Sequence, residues 1–458
     1  MFRCNQTLAC LILLMGCFVS YAARAARSGT PPRVDPNGTI HVPAFALPES
    51  SYLTPESRTE LARERQPSLD AFEAAVNACP AAVRAKIDEL PAIRRCQARA
   101  FAATSFYRRL RERYPVIVTP RVIGGVYTEV IVPQNGVASR NRHRVLINLH
   151  GGSFSGGSRI NSQVESIPIA SIARIKVISV DYRLAPQFHF PAASEDVAAV
   201  YQQVLKRYRA EEIGIYGCSS GGALTAQAVA WFGRNGLPRP GAIGLFCYGA
   251  GRALNATTER WMRSDSAYFV GALTGTYDQL LEPLSYYRGV NLGNPLVSPG
   301  DYDEVMARFP PTLLISGTRD YLLSSVVSTH AQLVRLGVAA DLHVWEGMQH
   351  AFLYFPDLPE SREAYRVIAD FFGRHLGLNM GCPRPALPGF QRPRRPDESG
   401  GLLCSVRSTA SRRDSPRARR LAQSSFSASA KETATAASCI LRRDNRVMRS
   451  PIWPFGTV

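Results

Sequence analysis

The sequence predicts an α/β protein built on a mostly parallel, doubly wound sheet. Short apolar runs of strand length alternate with helical segments over about 260 residues, the order typical of parallel sheets. One apolar run turns directly into an alanine-rich helix through a G-x-S-x-G pentapeptide that spans Gly217 to Gly221. Another run ends in the glycine-rich stretch His150 to Gly157. Since ligands of such sheets bind at the carboxyl ends of the strands, these two turns are the first candidates for a functional site.

Each predicted element rests on a local pattern. Apolar or alternating runs bounded by polar or glycine-rich residues predict strands, and apolar residues at helical spacing predict helices. The predicted strands, in chain order, are Val122–Val132, Arg144–Leu149, Lys176–Val180, Ile213–Cys218, Ile243–Tyr248, Pro311–Ser316 and Asp341–Trp345. Helices are predicted over Ser194–Tyr208 and Arg362–His375.

The segment before the first strand has a different pattern. Residues 26–50 are irregular and rich in proline, whereas Thr54 to Tyr114 has apolar residues at helical spacing. Thr54-Pro55-Glu56 suits a helix start, with proline at the first helical position. Helices ahead of the sheet predict a covering element. We therefore expect an N-terminal segment and helical cap over 26–114 and a catalytic domain over 115–378, with a cap insertion at about 252–300.

The amino terminus has the features of an export signal over residues 1–25. Arg3 precedes a mainly apolar run from Leu8 to Val19, too short to span a bilayer stably and followed by small residues. We therefore expect an exported protein, periplasmic or secreted. A lipobox-like Leu14-Met15-Gly16-Cys17 leaves open a lipoprotein anchored through Cys17, and an uncleaved N-terminal anchor is the third alternative.

The net charge of +18 does not indicate a nucleic-acid partner. From Gly381 onward there are 15 basic and 5 acidic residues, so +10 lies in the last part of the chain. The remaining +8 forms no basic stripe interleaved with aromatic residues. The composition of residues 379–458 predicts a disordered basic tail, because it is polar, charged and without periodicity.

The ten cysteines indicate no metal site, since none has the ligand spacing of one, and no cofactor is expected. Cys79 and Cys96 lie 17 positions apart in the helical segment and could pair in an oxidising compartment. Cys218 and Cys247 fall on predicted core strands, where we expect free, buried thiols.

Ser219 is the candidate nucleophile of the G-x-S-x-G turn. A strand that turns sharply into a helix exposes its corner residue above a helix N-terminus, and glycines two positions away avoid a clash. Ser220 does not fit this frame, because the residue two positions before it is Cys218. Alone, the pentapeptide is also compatible with a plain strand-to-helix turn.

A serine nucleophile needs a base, and the base needs an orienting acid. Of the downstream histidines, only His350 follows a strand end in a turn, whereas His330, His343 and His375 fall within helices or on a strand. Asp320 is the acid that follows the carboxyl end of a strand. The tetrahedral intermediate also needs backbone donors, for which Gly151, Gly152, Ser153 and the N–H of Ser220 are the candidates.

The ordered motifs resemble the hormone-sensitive-lipase branch (family IV) of the α/β-hydrolases. The matching segments are His150-Gly151-Gly152, Asp181–Pro186, Phe190–Asp196, Gly217–Gly222, Asn294–Pro299, Pro310-Pro311-Thr312, Asp320 and His350-Ala351-Phe352. The resemblance covers about residues 120–376 and implies a Ser219–Asp320–His350 triad, a helical cap and no metal. Two departures stand out: Ser153 occupies the place of a third oxyanion glycine, and Cys218 that of an acidic residue beside the nucleophile.

These observations predict a serine carboxylesterase acting on small to medium acyl esters through an acyl-enzyme. Its expected partner is a small-molecule ester. An amidase or deacetylase using the same site is one alternative, and a hydrolase relative that binds a ligand without turnover is another.

Overall fold

A computed structural model describes residues 33–38, 40–41, 48–64, 79, 88–251 and 286–377. These residues form an eight-stranded sheet in the order β10-β9-β8-β7-β5-β6-β4-β3 and a separate two-stranded ribbon, β1-β2. The strands are β1 (Arg33–Val34), β2 (Ile40–His41), β3 (Val116–Ile123), β4 (Val126–Pro133), β5 (Val145–Leu149), β6 (Lys176–Val180), β7 (Ile213–Cys218), β8 (Ala242–Phe246), β9 (Thr312–Arg319) and β10 (Ala340–Gln349).

The large sheet is parallel except around β4, which pairs antiparallel with β3 and with β6. The chain goes from β5 to its neighbour β6 and then returns across β5 to form β7 on the other side. The strand order therefore reverses between β5 and β7, and the carboxyl ends of these two strands flank the crevice where such sheets bind ligands. This architecture confirms the predicted α/β-hydrolase fold with a mostly parallel, doubly wound sheet.

The helices of the described residues cover both faces of the large sheet. They are α1 (Pro55–Glu64), α2 (Leu90–Ala102), α3 (Ser105–Arg113), α4 (Asn161–Ala173), α5 (Ala192–Leu205), α6 (Ser220–Arg234), α7 (Asp303–Met306), α8 (Leu323–Arg335) and α9 (Pro359–His375). Alternate side chains of the central strand β5 divide between the faces: Ile147 packs in the cluster with α5, α6 and α8, and Leu146 in that with α4 and α9. Two apolar layers therefore hold the carboxyl ends of the strands in place.

The prediction of a single strand over Val122–Val132 is wrong, because this stretch belongs to a hairpin of two strands, β3 and β4. β3 and β4 pair in register from Val116 opposite Pro133 to Ile123 opposite Val126, and two glycines form the turn between them. Gly124 and Gly125 have φ of 62° and 81°, which glycine adopts without steric cost. The alternating apolar pattern continues through the turn, which is why it resembles a single strand.

Three helices lie in the N-terminal segment that the sequence predicts to be helical. Helices α1, α2 and α3 fall inside the helical segment 54–114, and Cys79 forms a disulfide with Cys96 of α2. The predicted signal (1–25), most of the insertion at 252–300 and the predicted tail lie outside the described residues. Within the described ranges, no helix combines the length and apolar character needed to cross a membrane.

Candidate active site

The turn from β7 into α6 places Ser219 in a strained backbone conformation. β7 ends at Cys218 and α6 begins at Ser220, and Ser219 between them has φ 57° and ψ −126°. Such a conformation is costly for a residue with a side chain, and at functional sites it persists because the surrounding structure imposes it. The sharp turn projects a serine hydroxyl from the carboxyl end of the strand.

Gly217 and Gly221 make this turn possible. A Cβ at either position would overlap the backbone carbonyl of Leu149, the last residue of the neighbouring strand β5. Both flanking glycines therefore allow β5 to approach the turn closely, which is the steric reason predicted for the G-x-S-x-G pattern.

A continuous hydrogen-bond chain links the three residues predicted as catalytic. Nε2 of His350 lies 3.0 Å from Oγ of Ser219, and Nδ1 of His350 lies 2.8 Å from Oδ1 of Asp320. His350 follows the end of β10, and Asp320 follows the end of β9. The carboxyl ends of β7, β9 and β10 thus bring together side chains that are far apart in the sequence.

Asp320 is fully buried and held from two further sides. Its Oδ2 accepts a hydrogen bond from the Ser316 hydroxyl at 2.9 Å, and its Oδ1 accepts one from the Leu322 N–H at 2.9 Å. The ring of Tyr321 lies 4.4 Å from the His350 ring, centroid to centroid. These contacts fix the carboxylate and one face of the imidazole, so Nε2 is directed at Ser219.

The other histidines considered from sequence lie in other elements. His330 is in α8, His343 is on β10 and His375 ends α9. Burial lowers the pKa of His343, as expected for an imidazole packed on a strand. Ser220 is buried at the first position of α6.

The glycine-rich turn after β5 lies beside the elbow, and its amides differ in their partners. The Gly151 N–H donates to Oε1 of Glu165 at 2.9 Å, so this predicted oxyanion donor is already engaged. Among the residues that the structure describes, the N–H groups of Gly152, Ser153 and Ser220 have no protein acceptor. Gly152 has φ 119°, and Ser153 has φ 54°, a left-handed value that is uncommon for serine.

The fully buried side chain of His150 packs at the start of this turn. Its ring stacks on Tyr182 with centroids 4.3 Å apart, and the Tyr182 hydroxyl donates to the His150 carbonyl at 2.6 Å. Burial lowers the pKa of His150, which favours the neutral imidazole. Its Nδ1 lies 2.8 Å from the Gly151 carbonyl, which suits a proton on that nitrogen.

Sequence reasoning missed Glu165, a buried carboxylate on α4. It accepts hydrogen bonds from Asn148, Gly151, Cys218 and Tyr354. The available signal was its isolation, because it is the only charged residue in the helix Asn161–Ala173. A lone acid in an otherwise uncharged helix indicates a buried, partnered group.

Cys218 and Cys247 are free and buried, as predicted. The ligand atoms of Cys247, Asp320 and His350 lie within 4.8 Å of each other, a spacing that a metal ion could bridge. The neighbouring Cys218 thiol and burial raise the pKa of the Cys247 thiol well above its usual value, which disfavours a thiolate ligand. The arrangement is better suited to relaying a proton from Ser219 than to holding a cation.

Comparisons with known proteins agree with this fold. The sequence pattern of a family described as having the α/β-hydrolase fold matches residues 146–354. An acetyl-hydrolase of Streptomyces hygroscopicus is 28% identical over 251 residues, which cover 53% of this chain and 79% of the relative. A carboxylesterase/phospholipase, LipF, of Mycobacterium tuberculosis is 29% identical over 268 residues, covering 53% of this chain and 66% of the relative.

Solved structures extend the likeness to most of the chain. The crystal structure of an esterase, E25, has a TM-score of 0.60 and 29% identity, covering 74% of this chain and 99% of its own. An esterase from the bacterial hormone-sensitive lipase family has a TM-score of 0.53 and 26% identity, covering 68% of this chain and 99% of its own. The chain therefore has the α/β-hydrolase fold and is similar to the hormone-sensitive-lipase-like esterases, a likeness that supports a carboxylic ester hydrolase.

Proposed function

We propose that the protein is a serine carboxylesterase that hydrolyses small to medium acyl esters through an acyl-enzyme. Ser219 is the nucleophile, His350 the general base and acid, and Asp320 the group that orients the imidazole. The observation that carries the proposal is the hydrogen-bond chain, 3.0 Å from Ser219 to His350 and 2.8 Å from His350 to Asp320. Both distances lie in the range that proton transfer from a serine hydroxyl requires.

In the first half-reaction the Ser219 hydroxyl oxygen attacks the ester carbonyl carbon while its proton moves to Nε2 of His350. The Asp320 carboxylate stabilises the imidazolium that forms and keeps the proton of Nδ1 in place. Collapse of the tetrahedral intermediate breaks the carbon–oxygen bond to the alcohol, which leaves with the proton from His350. The acyl group remains on Ser219.

The second half-reaction repeats these steps with water. His350 takes a proton from the water as the hydroxide attacks the acyl carbon. The second tetrahedral intermediate then collapses and its bond to Ser219 breaks, which releases the carboxylic acid. His350 returns the proton to the Ser219 oxygen. In both halves negative charge develops on the former carbonyl oxygen, and preorganised N–H donors lower the energy of that state.

The proposed oxyanion donors are the backbone N–H groups of Gly152, Ser153 and Ser220. Their support is the lack of a protein acceptor within the described residues and their place on the two turns that flank Ser219. Gly151 contributes through its close fit. A Cβ there would overlap the Tyr354 hydroxyl and would come within 2.8 Å of the Cys218 carbonyl oxygen.

We further propose that the protein is exported. The support is the signal-like sequence of residues 1–25 and the disulfide between Cys79 and Cys96, a bond that persists in oxidising compartments.

A second candidate reaction is removal of acetyl groups, from esters or amides, at the same site. It is favoured by the likeness to the Streptomyces acetyl-hydrolase. The third candidate, a ligand-binding relative without turnover, is disfavoured by the presence of all three residues of the hydrogen-bond chain.

A panel of p-nitrophenyl esters from acetyl to dodecanoyl, paired with the matching anilides, tests the proposal. We expect ester hydrolysis with the highest kcat/KM at a short or medium acyl chain and much slower anilide hydrolysis. Preference for the anilides would favour an amidase. Hydrolysis of acetyl substrates alone would favour the deacetylase, and turnover of none of the panel would favour the binding protein.

A further inference from the structure

Glu165 is a buried carboxylate that accepts four hydrogen bonds. Its Oε1 accepts from the Gly151 N–H at 2.9 Å and from the Tyr354 hydroxyl at 2.8 Å. Its Oε2 accepts from Nδ2 of Asn148 at 2.8 Å and from the Cys218 N–H at 3.3 Å. All four partners donate, so the surroundings suit a group that only accepts, which is what an ionised carboxylate does.

Three of these partners lie on or beside the turns that carry the oxyanion amides, Ser219 and His350. Gly151 opens the glycine-rich turn after β5, which holds two of the proposed oxyanion donors. Cys218 immediately precedes Ser219, and Tyr354 lies four residues after His350. One carboxylate, which projects from α4 and is 4% exposed, is therefore bonded to the segments that position the oxyanion amides, Ser219 and His350.

The burial of Glu165 makes these bonds sensitive to the position of each turn. Burial raises its pKa to about 7, against the four hydrogen bonds, which lower it. If one turn moved away, a buried carboxylate oxygen would lose a hydrogen-bond partner, a loss that is costlier for a charged group than for a neutral one. The carboxylate thus opposes independent movement of the three turns.

We propose that Glu165 is a positioning residue for the ester hydrolysis proposed above, on which this inference rests. It sets the distance between the oxyanion amides and Ser219 and does not itself touch the substrate. The side chain of Cys218, beside the nucleophile, carries no carboxylate. The acceptor for the backbone N–H of Cys218 is Glu165 of α4.

The test compares Glu165→Gln with a matched control, Glu129→Gln. The amide of Glu165→Gln keeps the size of the side chain but points a donor at groups that also donate. We expect kcat per folded enzyme to fall by about 10- to 100-fold with KM within about twofold, because a misplacement near 1 Å costs rate rather than ground-state binding. Circular dichroism and the melting temperature measure the folded fraction.

Glu129 is a suitable control because it is also a buried glutamate bonded to an amide. It lies on β4, is 6% exposed, and accepts two hydrogen bonds from Nε2 of Gln163 at 2.9 and 3.0 Å. Burial raises its pKa to about 7 as well. We expect Glu129→Gln to leave kcat within about twofold of the wild type. An unchanged kcat in Glu165→Gln, or an equal loss in both variants, would overturn the inference.

Tyr354→Phe decides the matter if Glu165→Gln does not fold. It removes one donor to Oε1 and keeps the aromatic ring, so we expect kcat to fall by about three- to tenfold with KM unchanged. An unchanged kcat would again overturn the inference. The proposed function itself is tested on the wild type alone, by hydrolysis of the ester panel and by reaction with a fluorophosphonate, so the two failures are distinguishable.

Discussion

Nε2 of His350 lies 3.0 Å from Oγ of Ser219, although the two residues are 131 positions apart in the chain. The distance depends on two strand ends, because Ser219 follows β7 and His350 follows β10, with two strands between them in the sheet. A chain segment of this length does not by itself bring its two ends together. The packed parallel sheet and the strained turn at Ser219 therefore set the distance between Nε2 of His350 and Oγ of Ser219.

The role of Asp320 predicts a large loss of turnover in Asp320→Asn. The carboxamide keeps the size of the side chain but can present its NH₂ group to Nδ1 of His350, which favours the wrong tautomer of the imidazole. We expect kcat to fall by about 10³- to 10⁴-fold with little change in KM. Steady-state kinetics on a p-nitrophenyl ester measure this, and a loss below about tenfold would contradict the role given to Asp320.

The backbone at Ser153 predicts a mild effect of Ser153→Gly. Its φ of 54° is reached more easily by glycine, and the N–H donor survives the substitution. We therefore expect kcat to change by less than about tenfold, roughly 1.4 kcal/mol, whereas outright loss of an oxyanion donor costs about 2.7–4 kcal/mol. A gain above about a hundredfold would mean that the native turn is misaligned, and the wild type would then be a poor esterase.

The raised pKa of Glu129 predicts a specific pH dependence of stability. Because its pKa rises from 4.5 to about 7 on folding, the folded state holds more protons between these values, and stability falls as pH rises through them. At 1.36 kcal/mol per pH unit the loss is on the order of 3 kcal/mol. Urea unfolding at pH 5 and pH 8 should show a loss of stability that is larger in the wild type than in Glu129→Gln by this amount, because the variant keeps the contribution of Glu165, whose pKa is also raised. Equal pH dependence in both would contradict it.

The sequence of the chain after Met380 predicts that this segment is dispensable. It lacks a core-forming pattern, and the last described helix, α9, ends earlier at His375. A chain truncated after Met380 should keep its kcat/KM and its melting temperature. The measurements are ester kinetics and thermal unfolding of both forms, and aggregation or loss of turnover on truncation would contradict the prediction.

The strands and the three aligned residues could be predicted because their signals are local. Buried parallel strands are continuous apolar runs. Ser219, Asp320 and His350 each lie in a turn that follows such a run. The β3–β4 hairpin could not be separated from a single strand, since Gly124 and Gly125 interrupt an alternating pattern without ending it.

The partners of Glu165 required the tertiary structure. Its four donors come from three separate segments of the chain, around Gly151, Cys218 and Tyr354, and no spacing in the sequence relates these segments. For the same reason the engagement of the Gly151 N–H was not predictable, although the glycine-rich turn itself was.

Covalent trapping of Ser219 by a fluorophosphonate tests the central claim most directly. After labelling, mass spectrometry of the intact protein and of the peptide that contains both Ser219 and Ser220 locates the adduct. We predict a single adduct on Ser219 in the wild type and in Ser220→Ala, none in Ser219→Ala, and loss of ester turnover in step with labelling. A folded wild-type protein that stays unlabelled, or an adduct on Ser220, would contradict the account.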